Sequence, residues 1–287
     1  MIKISVVTIT YGHEKFIEKC IEGVLLQEGN FELEFIISND KSPDKTSEIV
    51  NKYRLEHSKG SCIRFIDHQK NIGIMPNFYE TINSSTGDYI AICDGDDYWT
   101  DPLKIQKQVD FLEANQDYIL VGHNVQIFDN KTNDILNDSF PFKEKQNQIS
   151  EDQIFKKNYI PALSIMYRNV SKLPDWILDC KIGDYPLVLH YSQYGKIGFL
   201  NDVMASYRSN TGYHSSISKK IQNEMLVLSL EIVLNKIKIS ETHKNLLRYQ
   251  LLNLEISYIN FNKSILKIYQ SKISLDLKMK ALINKLS

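Results

Sequence analysis

The chain has 287 residues, 43% of them hydrophobic, enough for a sizeable core in one large or two small domains, and a formal net charge of −1. That balance argues against a nucleic-acid partner, and no stretch approaches the roughly 20 apolar residues of a membrane span. With no apolar run or cleavage site of a secretory signal near the start, a cytoplasmic location is expected. The charge is uneven. Of 34 Lys and Arg and 35 Asp and Glu, residues 219–287 hold 12 and 5, which leaves 22 and 30 in an acidic front. Cys20, Cys62, Cys93 and Cys180 are far apart, lack C-x-x-C spacing and have apolar neighbours, and so read as buried free thiols.

In chain order, residues 3–10 are a short β-branched run stopped by Gly12, which predicts a strand buried on both faces. Ile17, Cys20, Ile21, Val24 and Leu25 then recur at helical spacing, and Gly29 with Asn30 ends that helix. A second strand is predicted over 31–38, a second helix over 44–57 capped by Ser42 or Asp44, a third strand over 63–67 and a shorter helix over 76–84. Residues 89–93 form a fourth strand that runs into Asp94-Gly95-Asp96-Asp97-Tyr98-Trp99. Four alternations within about a hundred residues predict an α/β fold, a mostly parallel sheet with ligands bound beyond its carboxyl ends.

Those ends carry Tyr11, Gly12 and His13, then Asn39 and Asp40, then Asn71, Ile72 and Gly73, then the acidic turn. An aromatic ring, a carboxylate and polar amides on one rim suit a nucleotide base and ribose. Three carboxylates in one turn repel by roughly a kcal/mol or more per close pair unless a cation lies among them. Hard oxygen ligands, few in number, suit Mn²⁺ or Mg²⁺ carrying the phosphates of a substrate. Each feature has a plainer reading alone: Tyr11 as cover for the sheet edge, Asp40 and Asp44 as turn and cap residues, Asn71 to Gly73 as a tight turn. Their coincidence on one rim favours the nucleotide. No G-x-G-x-x-G and no G-x-x-x-x-G-K-[ST] occurs among the twelve glycines, which argues against dinucleotide dehydrogenases and P-loop phosphotransferases.

Segments 5–15, 38–46, 71–73 and 94–104 together resemble, in order, family 2 glycosyltransferases of the GT-A fold, of the type that assembles bacterial polysaccharides. The resemblance implies that Tyr11 stacks on uracil, that the backbone of Thr8 lies near the base, and that Asp40 pairs with the uracil edge. Asp94 would lie near the ribose, Asp96 would hold the metal that bridges the diphosphate, and Asp97 would lie close to the sugar. Asn71, Gly73 and Gly95 complete the implied donor pocket. Gly12 replaces the usual Asn after Tyr, and Asn39-Asp40-Lys41 stands where two acids and a glycine are commoner.

Beyond the turn, Pro102 opens a helix predicted to reach about residue 115, followed by a strand over 118–128, a polar mobile loop over 143–152 and a further strand over 162–167. Asp184 directly precedes a helix that Pro186 can initiate, the position of a helix cap. Relatives carry an acid here, and the resemblance implies a catalytic base that takes the proton of an acceptor hydroxyl. Two short strands are predicted over 196–200 and 204–208. In the segment that follows, relatives place a histidine where this chain has Asn210, so Arg208 and His214 are the candidates for the diphosphate or metal.

From 217 onward the pattern is helical, with Met225, Leu228, Ile232 and Val233 on one face and Leu246, Leu247, Tyr249, Leu251, Leu254 and Tyr258 in a second helix. The stretch 275–286 mixes apolar residues with lysines and suits an anionic membrane surface, packing on the catalytic domain or a homodimer contact. The predicted organisation is a catalytic domain over 1–216, with donor and acceptor halves meeting near 115, and a helical extension over 217–287. The expected activity is inverting transfer of a hexose or N-acetylhexosamine from a UDP-sugar to a saccharide or lipid-linked saccharide. A sugar nucleotidyltransferase would carry a glycine-rich phosphate loop after the first strand. A non-catalytic carbohydrate-binding protein has no need of Asp94, Asp96 and Asp184 together.

Overall fold

The structure is a computed structural model that describes residues 1–142, 145, 147–212, 216–256, 264, 267, 268 and 270–286. Strands β1 (Ile2–Thr10), β2 (Phe31–Asn39), β3 (Ile63–Asp67) and β4 (Tyr89–Ile92) alternate with helices α1 (Ile17–Leu25), α2 (Thr46–Glu56) and α3 (Ile74–Asn83). They pair in parallel in the order β3-β2-β1-β4, which sets the acidic turn after β4 beside the end of β1. Antiparallel β9 (Met166–Arg168) joins β4 to β6 (Tyr118–Asp129), and β10 (Lys196–Ser209) runs parallel to β6. The two-residue β5 (Tyr98–Trp99) pairs antiparallel with β10, while β7 (Ile135–Phe140) and β8 (Gln148–Ile149) pair with β6 and β10. The sheet is mostly parallel, as the alternation predicts.

Side chains alternate across the central strand. Ile4 and Val6 of β1 join a core with Cys20, Ile21 and Val24 of α1, Val50 of α2 and Ile105, Val109 and Leu112 of α4 (Lys104–Ala114). Val7 faces the other way, into a core with Met75, Phe78 and Ile82 of α3 and Leu187, Val188 and Leu189 of α6 (Asp184–Tyr191). With both faces covered, the strands read as nearly unbroken apolar runs. Helices α7 (Lys219–Lys236) and α8 (Glu241–Ile256) add Leu230, Val233, Leu246, Leu247 and Leu251 to this second core. Leu252, Ile256, Ile268, Ile273 and Ala281 form a separate small cluster next to α9 (Leu275–Leu286).

Four elements depart from the sequence reading. Within the supposed loop 143–152, Gln148 and Ile149 form β8, and Ser150 opens α5 (Glu151–Lys156) through a capping box with Gln153; residues 143, 144 and 146 lie outside the described residues. Residues 162–164 make a 3-10 turn ahead of β9. The two strands predicted over 196–208 are one strand, β10, whose register against β6 shifts between Leu200 and Val203 and again before Ser206, so the polar Asn201 and Asp202 are absorbed as a bulge. On α7 the buried residues are Ser229, Leu230 and Val233, whereas Leu228 is exposed; the helix is apolar on several sides, so its sequence did not fix the docked face.

Candidate active site

The rim loops are fastened to one another before any ligand is considered. The backbone N–H groups of Gly12, His13 and Glu14 donate to Ser42 Oγ, Thr46 Oγ1 and Asp44 Oδ2 at 2.9, 3.0 and 3.0 Å. Asp44 also accepts from the backbone N–H of Thr46 at 3.1 Å, so both cap candidates bind the loop after β1 to the start of α2. Gly12 and Lys41 have φ of 72° and 59°. That left-handed region is open to Gly and Asn, which suits Gly12 in the place where the family pattern has Asn, whereas Lys41 adopts it at a cost of about 1 kcal/mol.

Tyr11 is 50% exposed at the tip of β1. Thr8, expected near the base, is wholly buried within the sheet, and its hydroxyl donates to the Cys93 carbonyl at 2.6 Å. It therefore anchors the entry to the acidic turn from below. Asp40 is also buried, and its two carboxylate oxygens accept the backbone N–H groups of Ile72 and Gly73 at 2.6 and 2.9 Å. The Asn71 amide returns a bond to the Asp40 carbonyl at 3.1 Å. Asp40, Asn71 and Gly73 thus form one closed unit, which shapes the pocket wall between β2 and α3.

The acidic turn lies against the end of β1, where the Gly95 N–H donates to the Ile9 carbonyl at 3.1 Å. Asp97 is buried and accepts the backbone N–H of Arg208 at 2.8 Å. Burial and then the Asp96 charge push the Asp97 carboxyl well above the ordinary range, against that bond. Burial, followed by the charges of Asp96 and Asp184, pushes Asp94 up to about 7. The Asp184 charge therefore acts on Asp94, so the acid that opens α6 stands near the turn after β4. Burial lowers His13, opposed by Asp96 and Asp44, so an imidazole borders Asp96 on the other side.

Asp184 is the first residue of α6, with Gly183 in the cap position, and its Oδ2 accepts the Asn158 amide at 3.0 Å. Arg208, the candidate for a phosphate contact, is 6% exposed, and its guanidinium carbon lies 5.2, 4.7 and 5.3 Å from the ring centres of Phe16, Tyr98 and Phe128. Its Nε and Nη2 have no hydrogen-bond partner among the described residues. Its neighbour Tyr207 faces the acids: burial, then Asp97, Asp96, Asp184 and Asp94, raise its phenol. His214 lies outside the described residues.

Three participants escaped the sequence reading. Tyr207 belongs to a strand whose bulge hides the facing of its side chains, and Thr211 and Gly212 touch Asp96 only because β10 ends there. Their signal was slight: a hydroxyl and a glycine shortly after the last strand.

Among the described residues, no three His, Cys, Asp or Glu side chains converge into a ready-made metal cage. The donor set still fits Mn²⁺ or Mg²⁺: Asp96 is partly exposed, its neighbours are carboxylates, and such ions take one or two of these with phosphate and water completing the shell.

The model of the family described as Glycosyl transferase family 2 matches residues 5–172, from β1 to just past β9. The protein Rv1520 of Mycobacterium tuberculosis is 32% identical over 219 residues, which cover 75% of this chain and 62% of that protein, so the chain spans less than two thirds of its mycobacterial relatives. The putative glycosyltransferase EpsE of Bacillus subtilis is 35% identical over 128 residues, 44% of each chain. Among solved structures, TarS 1–349 of S. aureus in complex with UDP-GlcNAc superposes with a TM-score of 0.64 at 19% identity, covering 99% of this chain and 79% of that one. The mannosyltransferase PcManGT of Pyrobaculum calidifontis, with GDP-Man and Mn²⁺, gives 0.66 at 15% identity, covering 99% and 74%. At these identities the superpositions speak for the fold, the GT-A arrangement. A match that takes in more than half of the sequence, from β1 through the acidic turn to β9, places the chain in glycosyl transferase family 2.

Proposed function

We propose that this chain is a metal-dependent, inverting glycosyltransferase that moves a hexose or N-acetylhexosamine from a UDP-sugar to a saccharide or lipid-linked saccharide in cell-surface polysaccharide synthesis. What supports the reading is the proximity of Asp184 to the turn Asp94-Gly95-Asp96-Asp97: its charge acts on Asp94, and together with Asp94, Asp96 and Asp97 it acts on the Tyr207 phenol.

In this reading Tyr11 stacks on the base, and the unit of Asp40, Asn71 and Gly73 forms the wall against its edge. Asp94 lies towards the ribose and Asp97 towards the sugar, with Gly95 keeping the turn close to β1. Asp96, with His214 as a second candidate, holds the divalent ion, which when bound neutralises charge on the departing diphosphate. Asp184 takes the proton of the acceptor hydroxyl as that oxygen attacks the anomeric carbon from the side opposite the diphosphate. One displacement inverts the anomeric centre.

The bound donors named for TarS and PcManGT, UDP-GlcNAc and GDP-Man, are the first two to test. Calorimetry should show UDP binding that requires Mn²⁺ or Mg²⁺. UDP release from UDP-GlcNAc should vanish in Asp184→Asn while UDP binding persists. Turnover retained in that variant removes Asp184 as the base, and metal-independent binding removes the metal.

A further inference from the structure

We infer that Asn158 is a positioning residue for Asp184, held in place by the C-terminal helices; the inference rests on Asp184 being the base. The Asn158 side chain has a fixed orientation. Its Oδ1 accepts the backbone N–H of Ile160 at 3.0 Å, and Ile160 is buried in the second core. With the carbonyl end of the amide committed, the NH₂ end must point the other way, and there it donates to Asp184 Oδ2 at 3.0 Å. A neutral donor on one carboxylate oxygen restrains the rotation of the carboxyl group and stabilises its ionised form.

Both partners of this pair are tied to helices beyond the family match. Ser229 of α7 accepts the backbone N–H groups of Lys181 and Ile182 through its hydroxyl oxygen, at 2.8 and 3.3 Å, just ahead of Asp184. The Tyr185 hydroxyl, next to Asp184, lies 2.5 Å from the Ile154 carbonyl of α5 and 3.0 Å from Gln250 Oε1 of α8. On the α5 side, His243 of α8 stacks on Phe155 with ring centres 4.5 Å apart. Helix α5 leads directly into Asn158. The loops that carry Asn158 and Asp184 are therefore pinned to one pair of helices, which gives α7 and α8 a part in the geometry of the base.

Among the described residues, the charged and titratable groups that act on Asp184 or respond to it include Asp94 of the acidic turn, Tyr185 of α6 and Tyr207 of β10. The hydrogen bond described at Oδ2 is the one that Asn158 donates. Removing that donation withdraws an interaction that favours the ionised carboxylate.

The test compares wild type with Asn158→Ala, Asn158→Asp and Asp184→Asn in two measurements. The first follows the Asp184 carboxyl by carbon NMR in metal-free protein, assigned by its loss in Asp184→Asn. The second measures UDP release from UDP-GlcNAc against pH, with UDP binding as the control. Asn158→Ala should move the Asp184 titration and the acid limb of kcat to higher pH, lower kcat about tenfold, and change UDP affinity less than about twofold. Asn158→Asp should move both further, because it sets a second anion against the first. An Asp184 titration that stays in place in Asn158→Ala overturns the inference whatever the turnover. A parallel fall in kcat and UDP affinity with an unmoved acid limb also overturns it, because that is general loss of structure. Turnover that survives in Asp184→Asn removes the base reading itself, a result separate from either.

Discussion

The Thr211 hydroxyl lies 3.2 Å from Oδ2 of Asp96 and 3.0 Å from the Arg208 carbonyl, so its single proton can turn from one to the other. When a cation takes that carboxylate oxygen, the hydroxyl has a second acceptor ready. The neighbouring Gly212 leaves room for the same atom, since a Cβ there would come within 2.6 Å of it, at a φ of 63°. Gly212→Ala must therefore displace Asp96. We expect a loss of roughly tenfold in Mn²⁺-dependent UDP affinity by calorimetry, with a larger loss in Asp96→Asn and a native circular dichroism spectrum in both. Unchanged affinity in Asp96→Asn would falsify its assignment to the metal.

Asp40 is bound to its own fold as well as to the proposed base pocket. Asp40→Ala leaves the N–H groups of Ile72 and Gly73 without acceptors, and urea denaturation should show a loss of about 3 kcal/mol. Asp40→Asn keeps one acceptor and should cost about 1 kcal/mol. Equal stability of the two variants would mean that the pocket wall does not depend on this pair of bonds.

The pH dependence of the metal-free protein should report Asp94. Its carboxyl is pushed up to about 7 in the folded chain, against about 3.9 in an unfolded one. The folded state therefore holds the extra proton between those values, and the stability due to it is full below pH 4 and lost as pH rises through 7. The melting temperature of wild type should fall relative to Asp94→Asn between pH 5 and 7.5. A divalent ion favours the ionised form, so Mn²⁺-dependent UDP binding should strengthen over the same window. A wild-type-to-variant difference that stays flat with pH would count against a half-buried Asp94 crowded by Asp96 and Asp184.

Lys104 presents the opposite case. Its ammonium is buried without a hydrogen-bond partner among the described residues, 3.7 Å from the centre of the Trp99 ring, and burial brings it down to about 7. In the unfolded chain it titrates near 10.4, so its unfavourable contribution is greatest below pH 7 and fades toward pH 10. Lys104→Met should gain about 1 kcal/mol at pH 6 in urea denaturation, with the gain shrinking by pH 9. A loss at pH 6 would instead show that the ammonium acts as a counter-charge beneath the acidic turn.

The C-terminal helices should behave as part of the catalytic fold. Ser229→Ala removes the acceptor of two partly buried backbone N–H bonds just ahead of Asp184, and we expect it to lower stability by about 1 kcal/mol and kcat more than UDP affinity. Wild-type kcat in a folded Ser229→Ala protein would separate α7 from the site.

The sequence by itself determined the parallel sheet, the order of its first four strands with their helices, and the rim on which Tyr11, Asp40, Asn71 and the acidic turn meet. Those features follow from local periodicity and from the rule that parallel strands deliver their carboxyl ends to one edge. Only the tertiary structure decided what each rim side chain does with its polar atoms. It buried Thr8 against the Cys93 carbonyl, closed Asp40 on Ile72 and Gly73, and boxed Arg208 among three rings. It also brought Asp184, Asn158 and Ser229 together from separate parts of the chain. Contacts of that kind depend on a bulge in β10, on which face of α7 docks and on how a single amide is turned, and none of these leaves a period in the sequence.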